Sequence, residues 1–215
     1  MYLPRHFEQP DAALLRALMH EHPLATLVVA TPAGPTADLI PLEFHPDLGA
    51  QGTLRGHVAR ANPLWRHAGA ATLAVFHGSQ AYVSPNWYPS KREHGKVVPT
   101  WNYTMVQARG LLRAVDDASW LRALVGRLTQ RHEAAQPAPW AVEDAPDDYV
   151  QQMLGAIVGI EIELTALTGK WKVSQNRSAS DRAGVAAGLG GTGDRDSGDN
   201  AKAMAALVRD DLVQR

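Results

Sequence analysis

Val98-Pro-Thr-Trp-Asn-Tyr-Thr-Met-Val-Gln-Ala-Arg-Gly-Leu-Leu-Arg-Ala-Val115 is the stretch on which the reading of this chain turns. From Thr100 to Val115 it reads as one long strand, with Gly110 expected at a bulge. Its front end sets Trp101 and Tyr103 beside Thr100 and Asn102. Just upstream lies Tyr82-Val-Ser-Pro-Asn-Trp-Tyr-Pro-Ser-Lys91. Together the two segments place Trp87, Tyr88, Trp101 and Tyr103 among Pro, Asn, Ser and Thr. That mixture suits a wall that holds a flat ring with polar edges. Aromatics bring stiff apolar area, and amides, hydroxyls and backbone groups fix orientation. The same residues also suit a well-packed loop plugged by tryptophan.

Working outward, short apolar runs follow one another with few helices between them. Leu24 to Ala30 reads as a buried strand. Ile40, Leu42 and Phe44 alternate with Pro41, Glu43 and His45, and Pro41 demotes that strand to an edge or a bulge. Thr53 to Val58 alternates again. Asn62 caps a short helix with Pro63 at its first position. Ala70 to Phe76 and Gln80 to Val83 read as a strand pair turning at His77-Gly78-Ser79. Asp117 caps an amphipathic helix with Trp120, Leu121, Leu124, Val125 and Leu128 on one stripe. Asp11 caps an earlier helix that Pro23 ends. A Pro-rich connection spans Gln136 to Pro146. Ile157 to Leu167 returns to period two, with Ile160, Ile162 and Leu164 inward and Glu161 and Glu163 outward; Lys170 to Val173 continues it or begins a neighbouring strand. Ser178 to Leu189 is helical in composition. The succession predicts an antiparallel β-barrel with peripheral helices (α+β), not a doubly wound α/β fold. Residues 1–189 form the expected domain, 190–200 a flexible linker and 201–215 a weakly anchored C-terminal helix.

Bulk properties narrow the function. The chain has 215 residues, a formal net charge of -1 and no cysteine. Disulfides, thiolate nucleophiles and Cys-based metal centres are excluded. Near-neutral charge does not draw the whole protein to nucleic acid or to an anionic membrane. No apolar run approaches the ~20 residues of a membrane span, and no signal pattern opens the chain, so a cytoplasmic protein is expected. Gly188-Leu-Gly190-Gly191-Thr192-Gly193 matches the dinucleotide pattern in letters only. It follows a helix where the pattern needs a strand before and a helix after. Nine histidines are scattered without His-Glu-x-x-His spacing, so no metal site is assigned. The acidic pairs Asp116-Asp117 and Asp147-Asp148 are read as helix starts. No catalytic residue is assigned.

Two basic clusters remain. Gly56-His-Val-Ala-Arg-Ala-Asn62 ends a strand and starts a helix, where backbone amides, Arg60 and Asn62 could hold a phosphate; an Asn cap beside an exposed Arg is the plainer alternative. In Lys170-Trp-Lys-Val-Ser-Gln-Asn-Arg177, alternation sends Lys170, Lys172 and Ser174 to one side. That side suits one end of a pocket for an anionic ligand, or an edge strand guarded by lysines.

These residues carry a resemblance. Met1-Tyr-Leu-Pro-Arg-His-Phe7, Gly56-His-Val-Ala-Arg-Ala-Asn-Pro-Leu-Trp65 and His77-Gly-Ser-Gln-Ala-Tyr-Val-Ser-Pro-Asn-Trp-Tyr88 are similar to the PaiB-like family, described as FMN-binding negative transcriptional regulators. So are Val98 to Tyr103 and Lys170 to Arg177. The resemblance covers roughly residues 1 to 189. It implies a split β-barrel related to pyridoxamine phosphate oxidase, and a homodimer with FMN in a cleft between subunits. It implies that His57, Ala59, Arg60 and Asn62 meet the ribityl phosphate and flavin edge. Ser84, Trp87, Tyr88, Thr100, Trp101, Asn102 and Tyr103 would wall the ring. Lys172, Gln175, Asn176 and Arg177 would close the site. His57-Val58 stands where the usual pattern carries Arg-Lys. The implied role is a negative transcriptional regulator or flavin-dependent sensor. A flavin-dependent oxidoreductase and a haem-binding split barrel are the alternatives, the latter needing His57 or His77 as axial ligand. Direct DNA binding lacks a basic helix; Arg122, Arg127 and Arg131 on the Trp120 helix are the nearest to one.

Overall fold

Alternation and capping signals become a β-rich fold in the computed structural model, which describes residues 1–191 and 198–213. In chain order the elements are β1 (Glu8–Gln9), α1 (Ala12–Glu21), β2 (Leu24–Thr31), β3 (Gly34–Pro41), β4 (Glu43–His45), β5 (Thr53–Ala59) and β6 (Ala71–Val83). Then come α2 (Ser90–His94), β7 (Thr100–Val115), α3 (Ala118–Glu133), α4 (Asp147–Gly155), β8 (Ile157–Lys172), α5 (Ala179–Gly191) and α6 (Gly198–Val213). The chain divides into two compact units. The first holds Met1–Leu18, His77–Val106 and Thr168–Arg215; the second holds Met19–Phe76 and Gln107–Leu167.

In the second unit the strands run in the order β3-β2-β6-β7-β8-β5-β4. Antiparallel registers pair Leu24 with Pro41, Thr26 with Val75 and Gly56 with Ile160. Pro41 closes the edge strand β3, where its missing N–H costs no ladder bond. Leu27, Val29, Leu54, Ala74, Ile160 and Ile162 are fully buried. The Asp117 carboxylate accepts from Trp120 N at 2.8 Å and starts α3. Leu121 of α3 packs with Val150 and Leu154 of α4, which begins at Asp147 as its acidic pair suggests. Asn62 Oδ1 accepts from Leu64 N at 2.9 Å, capping the 3-10 turn Pro63–His67.

Three expectations change. β6 is unbroken through His77-Gly78-Ser79. Gly78 is there for close approach: a Cβ would lie 2.3 Å from Thr104 Oγ1 and 2.8 Å from Leu18. Gly110 plays the same part in β7, where a Cβ would lie 2.2 Å from the Glu163 carbonyl oxygen. Glu161, expected outward, is 4 % exposed. Arg55 Nε donates to it at 2.7 Å, and Arg113 donates to its other oxygen. Period two does not tell which face a charge takes when cations on both neighbouring strands can satisfy it.

In the first unit, β1 pairs with β8, Glu8 opposite Lys170. Helix α6 is firmly seated, contrary to expectation. Ala201, Met204, Ala205 and Val208 recur at i, i+3, i+4 and i+7, and all are buried. Residues 190–191 and 198–200 of the expected linker are helical; 192–197, with Gly193 of the rejected dinucleotide pattern, lie outside the described residues.

Candidate functional site

The sequence-predicted site residues fall into two groups, one in each unit. In the second unit, β5 ends with His57 and Ala59, and the turn after it carries Arg60 and Asn62. His57 and Asn62, with Asp38, Pro41, Ala59 and Ile157, line a groove of about 350 Å³. His57 Nδ1 is buried there with no hydrogen-bond partner. Burial holds the imidazole below its ordinary pKa, so the ring is neutral at pH 7. Asn62 is doubly used: Oδ1 caps the turn, and Nδ2 donates to Asp38 Oδ1 at 3.2 Å.

Arg60 departs from its expected role. Its guanidinium forks onto Asp116, Nη1 to Oδ2 at 2.8 Å and Nη2 to Oδ1 at 2.6 Å. Nε donates to the Gly155 carbonyl at 2.7 Å and Nη2 to that of Ile157 at 3.0 Å. Four of its five N–H groups are thus engaged. The hydrogen bonds with Asp116 raise the arginine's pKa and lower the aspartate's. An incoming phosphate would have to displace a carboxylate already seated in the ideal bidentate position.

In the first unit the residues do different work from one another. Ser84 Oγ accepts from Asn86 N at 3.2 Å, capping the turn Pro85–Trp87. Trp87 is the plug of the plainer alternative. It fills a notch on α5, where a Cβ on Gly184 would lie 2.1 Å from the Trp87 carbonyl and one on Gly188 2.3 Å from its ring. Tyr88 is buried under Arg177, whose guanidinium carbon lies 4.9 Å from the ring centre. Burial raises the Tyr88 phenol above its ordinary pKa, and Arg177 only partly opposes it. Gln175 is spent on the backbone, accepting from Val173 N at 2.8 Å and donating to the Trp171 carbonyl at 2.6 Å. Asn176 is exposed.

The rest converge. Asn102 is 1 % exposed and donates to Ser174 Oγ at 3.0 Å. Ser174 sits at φ 70°, a left-handed conformation unusual outside glycine, and its carbonyl accepts from Arg177 N at 3.0 Å. This turn sets Arg177 beside the end of β8. Lys172 Nζ donates to Thr100 Oγ1 and to the Trp101 carbonyl. Tyr103 lies under two ammonium groups, Lys170 Nζ at 5.3 Å and Lys172 Nζ at 6.0 Å from its ring centre. Burial lowers the Lys172 pKa, and the charges of Lys170 and Arg177 lower it further. Trp101 is 56 % exposed and meets Tyr82 edge-on, ring centres 6.0 Å apart. Trp101 and Tyr103, with His77, Gln80 and Met105, line a recess of about 120 Å³, a foothold smaller than the ~300 Å³ of a ligand pocket.

Lys170 is the residue missing from the predicted set. It is 8 % exposed, donates to the Tyr2 carbonyl at 3.1 Å and lies 5.9 Å from the Tyr2 ring centre. The signal was available, since alternation already put it on the side of Lys172. Among the described residues no group of His, Asp and Glu could hold a metal, and no helix is long and apolar enough to cross a membrane.

The strand order and the flanking helices define the split β-barrel class, and solved structures of that class superpose on the chain. A FAD- and haem-binding protein from Mycobacterium smegmatis aligns at a TM-score of 0.55, with 17% identity, over 77% of this chain and 73% of its own. The flavocytochrome Anf3 from Azotobacter vinelandii aligns at 0.57, with 11% identity, over 79% and 72%. The chain belongs to the family described as "Putative FMN-binding domain", whose pattern matches residues 1–166. It is 30% identical to the protease synthase and sporulation protein PAI 2 of Bacillus subtilis over the full length of both. It is 31% identical to an uncharacterized protein of Aspergillus fumigatus, over 88% of this chain and 90% of that one. The resemblance to PaiB-like proteins, and the FMN that it implies, agree with these matches.

Proposed function

We propose that this chain is an FMN-binding regulatory protein of the PaiB type, a cytoplasmic homodimer whose ligand state is passed on to a partner. The observation that carries the flavin reading is the meeting of exposed aromatic rings with uncompensated cations at Thr100–Tyr103 and Lys170–Arg177. A flavin needs a flat apolar surface, polar groups at its edges and positive charge for its phosphate. Trp101 and Tyr103 would supply the surface. Lys172 and Arg177 would supply charge, and Thr100 the polar edge. In the other unit, His57 has an unshared ring nitrogen facing a groove of pocket size, which suits a hydrogen bond to a ligand edge. Bound FMN would supply the redox chemistry; the chain's own residues bind and orient.

The regulatory half of the reading leans on the Bacillus subtilis relative, whose name ties it to protease synthesis and sporulation. Direct duplex binding through α3 has little support. Arg122 faces Glu143 and Asp147, Arg127 is clamped on Glu43, and Arg131 donates to the His20 carbonyl. Arginines so engaged are poor donors to DNA phosphates. An oxidoreductase is the second reading. It is favoured by the exposed Trp101–Tyr82 pair beside the recess, which leaves a ring bound there open to a small reductant.

One titration tests the first reading. Purified protein should quench FMN fluorescence with a saturable curve, and its mass in solution should be that of a dimer. A chain that leaves FMN emission unchanged at micromolar concentrations is not the protein proposed. Bleaching of bound flavin by NAD(P)H would move the assignment to the oxidoreductase. A Soret band would move it to haem.

A further inference from the structure

We infer that Lys170, Lys172 and Arg177 form a binding site for a phosphate-monoester dianion, and that the phosphate of FMN is carried there and not by Arg60. The inference rests on the flavin reading above, adds Lys170 to it and takes the phosphate away from Arg60, where the resemblance puts it.

Charge bookkeeping comes first. Three cations meet at the end of β8, and among the described residues none of them has a carboxylate within ion-pair distance. The acidic groups nearest in the fold are otherwise placed. Asp181 spends both oxygens on Ser90, accepting from its N at 3.1 Å and its Oγ at 2.8 Å. Glu8 stands opposite Lys170 in the ladder, but its side chain is exposed and makes no ion pair among the described residues. The three cations rest on tyrosine rings instead: Tyr2, Tyr103 and Tyr88. Rings steady a cation without neutralising it. The excess charge therefore stays available to a ligand.

Geometry then fits the ligand class. The guanidinium of Arg177, over the Tyr88 ring, carries its N–H groups in a planar fork that suits two phosphate oxygens. An ammonium acts as a point charge and suits the third. The left-handed Ser174, tied to buried Asn102, holds Arg177 beside Lys172. A non-glycine residue at positive φ is kept only where its surroundings over-determine it. Burial first, and then the charges of Lys170 and Arg177, lower the Lys172 pKa; a dianion would remove the second of these costs. Arg60 offers the reverse case, a guanidinium with its carboxylate already bound.

FMN and riboflavin differ only by the phosphate, so their affinity ratio isolates it. Both are titrated by fluorescence into the full chain in phosphate-free, low-salt buffer. Lys172→Met and Arg177→Met should each weaken FMN binding at least tenfold and change riboflavin binding less than twofold. Lys172→Arg should recover most of the FMN preference, because it restores the charge. Arg60→Gln should leave the ratio intact. Equal loss of both flavins in the Met variants, or a ratio that collapses in Arg60→Gln instead, overturns the assignment. If the wild type binds neither flavin, the flavin reading itself fails. Calorimetry with phenyl phosphate then decides the subsite alone: binding lost in Lys172→Met upholds it, and no binding to the wild type removes it. Melting curves identify any variant that fails to fold; for such a variant Tyr88→Leu, which removes the ring beneath Arg177, serves in its place, with the same loss of FMN preference expected.

Discussion

The two units treat positive charge in opposite ways. In the second, arginines are answered by carboxylates: Arg55 and Arg113 by Glu161, Arg60 by Asp116, Arg127 by Glu43. In the first, Lys170, Lys172 and Arg177 are answered by aromatic faces. The first arrangement consumes charge to join strands and helices. The second conserves it. A cation matched by a carboxylate is structural; a cation held only by rings and neutral oxygens keeps its charge for an anion from outside.

The largest effect should come from breaking the matched side. Glu161→Ala strands two guanidinium groups beside a buried position and should cost about 3 kcal/mol in chemical denaturation. A loss under ~1 kcal/mol would mean that Arg55 and Arg113 simply turn to water. Breaking the cushioned side should cost less. Tyr103→Leu keeps apolar area but removes the ring beneath two ammonium groups, a loss of about 1 kcal/mol in the same assay. Equal costs for the two variants would erase the contrast.

Two pH effects sharpen it further. His57 is held below its ordinary pKa, so the unfolded chain takes up its proton first. Stability should fall as pH drops below ~6.5, and His57→Phe should flatten that fall. Lys172 is also lowered, so protonation again favours the unfolded chain. Its contribution should improve as pH rises towards ~10.4, where even the unfolded lysine loses its charge. Lys172→Met should therefore abolish that rise, whatever the loss of its contacts to Thr100, Trp101 and Tyr103 costs at pH 7. A rise that persists in Lys172→Met would show that another group titrates there.

Much of the fold was legible because it rests on local periodicity. An apolar run marked β2, alternation marked β5 and β8, and Asn62 and Asp117 announced the turns that they cap. The glycines were misread for a physical reason. Gly78 and Gly110 look like turn or bulge residues in sequence, but what they accommodate, Thr104 and the Glu163 carbonyl, comes from other strands. The site was legible in type and less so in role. Sequence identified aromatics and cations in the right segments. It could not tell that Trp87 is a plug, that Gln175 serves the backbone or that Arg60 meets Asp116, 56 positions away. Partnership across such a separation is what decides whether a charge is spare.

The notch that receives Trp87 has a consequence for how the chain orders itself. Helix α5 carries four glycines in thirteen positions, a deficit of roughly 4 kcal/mol against alanine if each costs about 1 kcal/mol. Left alone, such a segment would stay coil. Docking of the indole against Gly184 and Gly188 offsets part of that deficit, so the Pro85–Trp87 turn and α5 should gain and lose structure together, and amide exchange at Val185 should report the arrival of an aromatic side chain nearly a hundred residues upstream.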